Sequence, residues 1–175
     1  MNHDTYTDAY IEGILTSVRT IAMVGASANK VRPSYFVLKY LLAKGYEVTP
    51  VNPGQAGNPI LGRTFYARLE DIPDPIDMVD IFRNAEAALA ITREAIAIGA
   101  KVVWMQLGIR NDEAARLAEA AGLKVVMNRC PKIEYGRLSG EIGWVGVNSR
   151  TISSRRPTLM PGFQHHGLRS ERSSG

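Results

Sequence analysis

The sequence has 175 residues, which is the usual length of one domain and enough to bury a full hydrophobic core. A single cysteine, Cys130, excludes an intramolecular disulfide and a Cys-rich zinc site, and it fits a reducing cytoplasm. The net charge of +4 comes from residues 150–175, so residues 1–149 are neutral overall and show no nucleic-acid-binding signature.

The N-terminus is polar and acidic, unlike a signal peptide, and no apolar run reaches the roughly 18 residues of a transmembrane helix. We therefore expect a cytoplasmic protein with no membrane partner. Residues 1–149 are predicted to form one domain, with its core at 20–135 and a partly ordered strap at 132–149. Residues 150–175 are expected to be a flexible basic tail, or an arm that orders on a partner subunit. Two histidines there, His165 and His166, have no carboxylate partner and are interpreted as solvated.

The predicted elements alternate between helices and short apolar strands. An amphipathic helix over Tyr6–Arg19 comes first, and we expect it at a sheet edge or at the bottom of the domain. Strands are then predicted at 21–24, 46–51, 64–66, 77–82, 101–105 and 123–127, and helices at 35–43, 85–98 and 112–121. Ser34, Asn84 and Asn111 are expected to cap the three helices. This order is typical of a three-layer α/β fold, a Rossmann-like doubly wound parallel sheet of five to six strands.

A single glycine joins the first strand to its helix. Gly25 lets the backbone turn tightly and approach a ligand, and the helix N-terminus presents unpaired N–H groups. Ala26 and Ser27 stand where the dinucleotide fingerprint G-x-G-x-x-G has its second glycine, with Lys30 and Arg32 close behind. The loop therefore predicts an anion site built from a hydroxyl, backbone amides and a cation. An ordinary strand-to-helix turn is the alternative interpretation.

The residues at the carboxyl ends of five predicted strands are mostly polar, cationic or glycine, and ligands of open parallel sheets bind at that edge. Asn52 follows the second strand, where a nicotinamide enzyme usually has an acid that binds the adenosine ribose. An asparagine there can hydrogen-bond a ribose, or it can be a plain turn residue before Pro53 and Gly54. Both interpretations stay open.

Five blocks of sequence carry a family resemblance, and in chain order they read VGAS with RPS, GY-V-PVNP, VDIFR, KVVWMQLGI and VVM-RC. The chain resembles the stand-alone coenzyme A-binding proteins and the CoA-binding Rossmann domain of the succinyl-CoA synthetase α-subunit. The match covers roughly residues 20–135. The resemblance implies a Rossmann-type fold that binds CoA or an acyl-CoA, as a carrier or sensor with no established catalytic activity.

The resemblance also implies contact residues along the carboxyl edge of the sheet. The expected contacts to pyrophosphate and other phosphate groups are Gly25, Ala26, Ser27, Lys30, Arg32, Pro33 and Ser34. The expected contacts to the adenosine end and along the nucleotide are Asn52, Pro53, Ile81, Phe82 and Arg83. Near the pantetheine arm, and at the end of the last strand on the same edge, they are Trp104, Gln106, Gly108, Arg129 and Cys130.

Charge agrees with such a ligand, because CoA carries a pyrophosphate and a ribose 3′-phosphate. Four cations, Lys30, Arg32, Arg83 and Arg129, lie in these loops, and the acid nearest them is Asp80, inside a strand.

Alternative functions are a nicotinamide oxidoreductase or an acyl-CoA-dependent, ligase-like enzyme. Against both, there is no histidine between Asp4 and Gln164 and no evident acid–base pair. Cys130 either has a pKa lowered by Arg129 and forms a mixed disulfide with CoA, or is a small buried hydrophobe. A homodimer through the N-terminal helix or the C-terminal arm is a further expectation.

Overall fold

The computed structural model describes residues 1–141. Its strands, in chain order, are β1 (Thr20–Val24), β2 (Glu47–Val51), β3 (Pro59–Ile60), β4 (Arg63–Thr64), β5 (Met78–Ile81), β6 (Val102–Met105) and β7 (Lys124–Val126). Its α-helices are α1 (Asp8–Ser17), α2 (Pro33–Ala43), α3 (Ala85–Ala97), α4 (Asp112–Ala120) and α5 (Pro131–Leu138).

The centre of the fold is a five-stranded parallel sheet with the order β2-β1-β5-β6-β7. The chain leaves β1 for β2 on one side and returns to pair β5 on the other side of β1. The switch point of the sheet therefore lies between β1 and β5, where open α/β sheets bind ligands. The strands β3 and β4 form a separate antiparallel pair. The predicted Rossmann-like, doubly wound α/β fold is confirmed.

Helices cover both faces of the sheet, and the strand residues alternate between the two cores. The first core contains residues of α1, α2 and α5 packed on strand residues such as Ile21 and Met23. The second core contains α3 and α4 packed on residues such as Ala22 and Val79. Five buried alanines and one isoleucine of α3 and α4 belong to this core, namely Ala88, Ile91, Ala95, Ala114, Ala115 and Ala118. Small side chains there allow the helices to approach the sheet closely.

The predicted caps have mixed outcomes. Asn84 accepts a hydrogen bond from Ala87 N at 2.9 Å, and Asn111 accepts one from Ala114 N at 2.8 Å, so both caps are confirmed. The Ser34 cap is wrong, because α2 begins at Pro33, two residues earlier than predicted, and Arg32 occupies its N-cap position. Proline is well suited to the first helical position, where its missing N–H costs nothing, and Pro33 therefore starts the helix.

Two segments differ from the predicted elements. The first part of the predicted strap, residues 132–138, belongs to the helix α5, which packs on α1 and α2 with Tyr135 buried. Its interior Gly136 and its short length weaken the helical pattern in the sequence. The predicted minor strand at 64–66 is β4 at Arg63–Thr64, and Tyr66 instead forms a parallel bridge with Val51.

Residues 142–149 of the predicted strap and the predicted tail, residues 150–175, lie outside the described residues. Within residues 1–141, no helix is both long and apolar enough to cross a bilayer.

Candidate phosphate-binding site

The turn after β1 is built on Gly25, and its backbone needs a glycine. Gly25 has a φ of +90°, which side-chain-bearing residues rarely adopt. A Cβ at this position would lie 3.1 Å from the carbonyl carbon and oxygen of Phe82 and 3.0 Å from Arg83 Cδ. The turn therefore presses against the loop that follows β5. The predicted neighbours Gly25, Phe82 and Arg83 are together at the switch point.

Four backbone amides in the loop after Gly25 are held by side-chain oxygens rather than by backbone carbonyls. Ser34 Oγ, from the first turn of α2, accepts from Ser27 N at 3.1 Å. The remaining three bonds, each 3.1 Å long, run from Ala28 N to Gln55 Oε1, from Asn29 N to Ser27 Oγ and from Val31 N to Asn29 Oδ1. Hydroxyl and amide oxygens are replaceable by the oxygens of a bound anion, so this loop has the donor chemistry of a phosphate site.

Asn52 has a structural task at the end of β2. Its Nδ2 donates to Ala26 O at 2.9 Å, and its Oδ1 accepts from Gly54 N at 2.9 Å. Both ends of the amide are therefore engaged by backbone groups. Asn52 joins the turn after β2, which includes Pro53, to the loop after β1, and Ala26 itself is fully buried beneath this contact.

Three cations surround the loop without competing partners. Lys30, Arg32 and Arg83 are exposed, and none of them forms an ion pair with an acid of residues 1–141. Exposed arginine and lysine side chains that form no ion pair can bind an anion. The planar guanidinium group of arginine also matches the spacing of phosphate oxygens. Pro33 is exposed beside them at the start of α2.

Arg129, the fourth predicted cation, lies elsewhere on the same edge and is occupied. It follows β7, three strands away from β1 in the sheet, which is about 14 Å at the usual strand spacing. Its guanidinium lies over the Tyr6 ring, 5.6 Å from the centroid, and its Nε is 3.9 Å from Glu134 Oε1. We therefore do not include Arg129 in the candidate site.

The residues predicted near a pantetheine arm, together with Ile81 of those predicted along the nucleotide, are mostly in the interior. Trp104 is fully buried and donates from Nε1 to Arg129 O at 2.8 Å, and the Ile81 side chain belongs to the second core. Gln106 is also buried. Gly108 is exposed with a φ of +78°, and its N–H donates to Asn128 Oδ1 at 2.8 Å. In this structure only Gly108 of these four offers surface to a ligand.

The acid predicted near the cations, Asp80, lies inside the protein. It is fully buried, and both of its carboxylate oxygens accept from the one Gln106 Nε2, at 2.9 and 3.1 Å. Burial raises the pKa of Asp80 to about 8, and the Gln106 hydrogen bond only partly opposes that rise. Asp80 is therefore mostly neutral at pH 7 and does not repel an anion bound at the edge above it.

Cys130 does not have the predicted lowered pKa. The thiol is buried at the N-cap of α5, and burial raises its pKa, with the Asp80 carboxyl adding a smaller increase. Hydrogen bonds from the N–H groups of Ile133 and Lys132 act in the opposite direction but are weaker in total. The neighbouring Arg129 points to Tyr6 and Glu134 instead. Cys130 thus matches the small buried hydrophobe and not the reactive thiol.

Sequence reasoning missed two polar residues that hold this loop, Asn29 within it and Gln55 after β2. Each holds a loop amide, and Gln55 reaches across from the short 3-10 helix Pro53–Gln55. Both residues lie next to predicted turns, and this position was the available signal in the sequence. The contact of Gln55 also depends on how the loop after β2 meets the loop after β1. Within residues 1–141, no cluster of His, Cys, Asp and Glu could hold a metal ion. The described arrangement is suited to holding an anion.

The chain is similar to known proteins in sequence and in fold. A family model described as "CoA binding domain" matches residues 19–136. The "Uncharacterized protein YneT" of Bacillus subtilis is 35% identical over 127 residues, which are 73% of this chain and 93% of that protein. A solved structure, "hypothetical protein from Pyrococcus horikoshii OT3", is 44% identical with a TM-score of 0.73, covering 79% of this chain and 96% of that one.

A larger relative contains only a matching part. The "Acetate--CoA ligase [ADP-forming] I subunit alpha" of Pyrococcus furiosus is 34% identical over 93 residues, which are 51% of this chain and 20% of that protein. The chain thus spans about a fifth of that ligase subunit and nearly all of YneT. Because the family model covers about two thirds of the sequence, including every loop of the candidate site, this chain belongs to the CoA-binding domain family.

Proposed function

We propose that this protein binds coenzyme A or an acyl-CoA at the loop after β1 and acts as a non-catalytic carrier or sensor. The observation that carries the proposal is the Gly25 turn pressed against Arg83, with Lys30 and Arg32 also free of ion pairs within residues 1–141. Exchangeable amide contacts and three cations suit a ligand with several phosphate charges. Family membership and the name of the larger relative, a CoA ligase subunit, support the same ligand.

The structure favours CoA over a nicotinamide dinucleotide. A ribose-binding acid is absent at the end of β2, where Asn52 instead uses its amide on Ala26 and Gly54. The proton on Asp80 removes a nearby negative charge, so cations dominate the edge. CoA has one more phosphate than NAD. The additional negative charge is attracted by the cations at this edge of the sheet, so CoA should bind more tightly than NAD.

Isothermal titration calorimetry with CoA, 3′-dephospho-CoA and NAD tests this proposal. We expect the affinity to fall in that order, because each step removes negative charge or changes the shape of the ligand. Equal affinity for CoA and NAD, or no binding of any of the three, would contradict the proposal. Hydride-transfer and acyl-CoA ligase assays on the same preparation test the enzymatic alternatives.

The substitution Arg83→Ala examines one cation of the site. Losing a charge-assisted bond to phosphate costs about 1.5–3 kcal/mol, so we expect CoA affinity to fall roughly 10- to 100-fold. The matched control is Arg116→Ala, an exposed arginine on α4, which covers the sheet away from the loop. Equal effects of the two substitutions would show that Arg83 contributes only general positive charge.

A further inference from the structure

The large apolar side chains that stay exposed are concentrated at the carboxyl edge of the sheet. Among residues 1–141, six such side chains are exposed, and four of them lie in loops or first helical turns at this edge, namely Val31, Phe36, Leu107 and Ile133. Single exposed apolar residues are ordinary, but a group of them beside a binding site is typical of a ligand groove. Leu107 and Ile133 are 56% and 43% exposed. The edge therefore offers apolar surface as well as charge.

The loops at this edge leave a crevice above β5 and β6. The chain passes from β1 to α2 and from β7 to α5, and both of these helices pack in the first core. It passes from β5 to α3 and from β6 to α4, which pack in the second core on the other face of the sheet. The starts of α2 and α5 therefore form one wall of the crevice, and the loops after β5 and β6 form the other. Ile133, in the first turn of α5, belongs to the first wall, and Leu107, after β6, belongs to the second.

A ligand held at the Gly25 turn has room to extend along this crevice toward β6 and β7. In the direction of β2 the way is bridged, because Asn52 Nδ2 donates to Ala26 O at 2.9 Å and Ala28 N donates to Gln55 Oε1 at 3.1 Å. The strand β6 lies two strands from β1, which is about 10 Å at the usual strand spacing. The extended pantetheine arm of CoA is longer than that distance. The acyl group of a CoA whose phosphates lie at the Gly25 turn therefore reaches the ends of β6 and β7.

The buried groups between the two walls carry no charge at neutral pH. Asp80 is mostly protonated at pH 7, and Gln106 hydrogen-bonds both of its oxygens. Burial raises the pKa of Cys130, so this thiol is un-ionised as well. Phe82, half-buried at the end of β5, adds an aromatic surface. An apolar chain can cover such a floor without the cost of removing water from a charged group.

We propose that this crevice binds the aliphatic acyl chain of an acyl-CoA, with Leu107 and Ile133 as contacts on its two walls. The inference rests on the proposed CoA-binding function and names the class of acyl group, an extended hydrocarbon chain rather than acetyl. Such a chain covers apolar surface that is exposed in the unbound protein, and each methylene that leaves water strengthens binding. The cations around the Gly25 turn hold the phosphates, and the crevice sets the preference among the esters.

Isothermal titration calorimetry of the wild-type protein with CoA, acetyl-CoA, octanoyl-CoA and free octanoate tests the proposal. We expect octanoyl-CoA to bind roughly 10-fold or more tightly than acetyl-CoA, and octanoate at least 10-fold more weakly than octanoyl-CoA, since it lacks the phosphates. If CoA binds but the affinity of its esters does not depend on the acyl chain, the inference is overturned and the proposed function stands. Octanoate that binds as tightly as octanoyl-CoA also overturns the inference. Absence of binding for every CoA compound contradicts the proposed function itself.

The double variant Leu107→Ser/Ile133→Ser assigns the preference to the two walls. Both side chains are exposed, and the backbone N–H of Ile133 that points to the Cys130 thiol is kept. We expect the affinities for octanoyl-CoA and acetyl-CoA to come within about 3-fold of each other, while the affinity for unacylated CoA is unchanged. Leu61→Ser is the matched control, because Leu61 is 40% exposed between β3 and β4, away from the crevice, and this variant should keep the full preference. A preference in the double variant equal to that of the wild type overturns the assignment to Leu107 and Ile133.

Discussion

At the scale of single residues, Asp80 has the most unusual environment. A carboxylate in water has many donors around it, whereas both oxygens of this one accept from a single side-chain NH2 group, that of Gln106, and the residue has no exposed surface. Ionisation of the Asp80 carboxyl therefore costs free energy, and the hydrogen bonds from Gln106 offset only part of that cost. Protonation keeps the buried Asp80 carboxyl neutral. A neutral carboxyl does not repel an anion bound at the nearby edge of the sheet.

Stability should therefore depend on pH through Asp80. The folded-state pKa of about 8 exceeds the ordinary value of 3.8, so the folded state holds an extra proton between those values. The free energy of unfolding then falls as pH rises from about 4 to about 8 and is level above that. Asp80→Asn has no such proton, and we expect its stability relative to wild type to increase by about 1–3 kcal/mol between pH 5 and pH 7.

Urea denaturation of both proteins at several pH values measures this difference. Asp74→Asn is the control, because Asp74 is an exposed aspartate outside the sheet. Parallel pH profiles for wild type and Asp80→Asn would show that the buried carboxyl is ionised throughout the range.

Gly25 gives a second test at this scale. An alanine there must adopt a φ of +90° and place its Cβ 3.1 Å from the Phe82 backbone, so we expect a loss of about 2–4 kcal/mol in unfolding free energy. Gly13→Ala in α1 is the matched control, since its Cβ would meet nothing within 4 Å. We expect that control to be neutral or stabilising by about 0.5–1 kcal/mol. Equal denaturation midpoints for Gly25→Ala and Gly13→Ala would contradict this expectation, because they would mean that the turn accepts a side chain at position 25 without strain.

At the scale of elements, the strands and helices that the sequence predicts are those whose sequence signals act over a few residues. Apolar strands bounded by glycine, and asparagines that cap helices, act within a few residues, so β1, β5, β6 and the starts of α3 and α4 follow from sequence alone. The helix α5 does not, because much of its stability comes from packing on α1 and α2. The contact of Gln55 with Ala28 and the burial of Trp104 depend likewise on distant parts of the chain.

The cap of α4 offers a test of an element. Asn111 accepts from Ala114 N at 2.8 Å and donates from Nδ2 to Ala85 O at 2.9 Å, so it starts α4 and joins it to α3. We expect Asn111→Ala to lower the unfolding free energy by about 1–2 kcal/mol in urea denaturation. Asn58→Ala, at an exposed asparagine in a loop, should change it by less than about 0.5 kcal/mol. A loss that is no larger for Asn111 than for Asn58 would contradict this role.

At the scale of the whole molecule, parallel strand order concentrates chemistry on one edge of the sheet. The switch point between β1 and β5 brings together the Gly25 turn, the start of α2 and Arg83, which are far apart in sequence. Arg129 follows the same rule for strand ends yet lies at the far side of the sheet, beyond β7. Knowledge of strand order, which the sequence does not state, is therefore what separates three site cations from the fourth.

The most direct test of the account is a crystal structure of the protein soaked in CoA. We expect the pyrophosphate to lie against residues 25–27, with phosphate oxygens replacing side-chain oxygens on the loop amides and Arg83 within hydrogen-bonding distance of the ligand. A CoA molecule bound elsewhere, with the loop amides still held by Ser34 and Gln55, would contradict it.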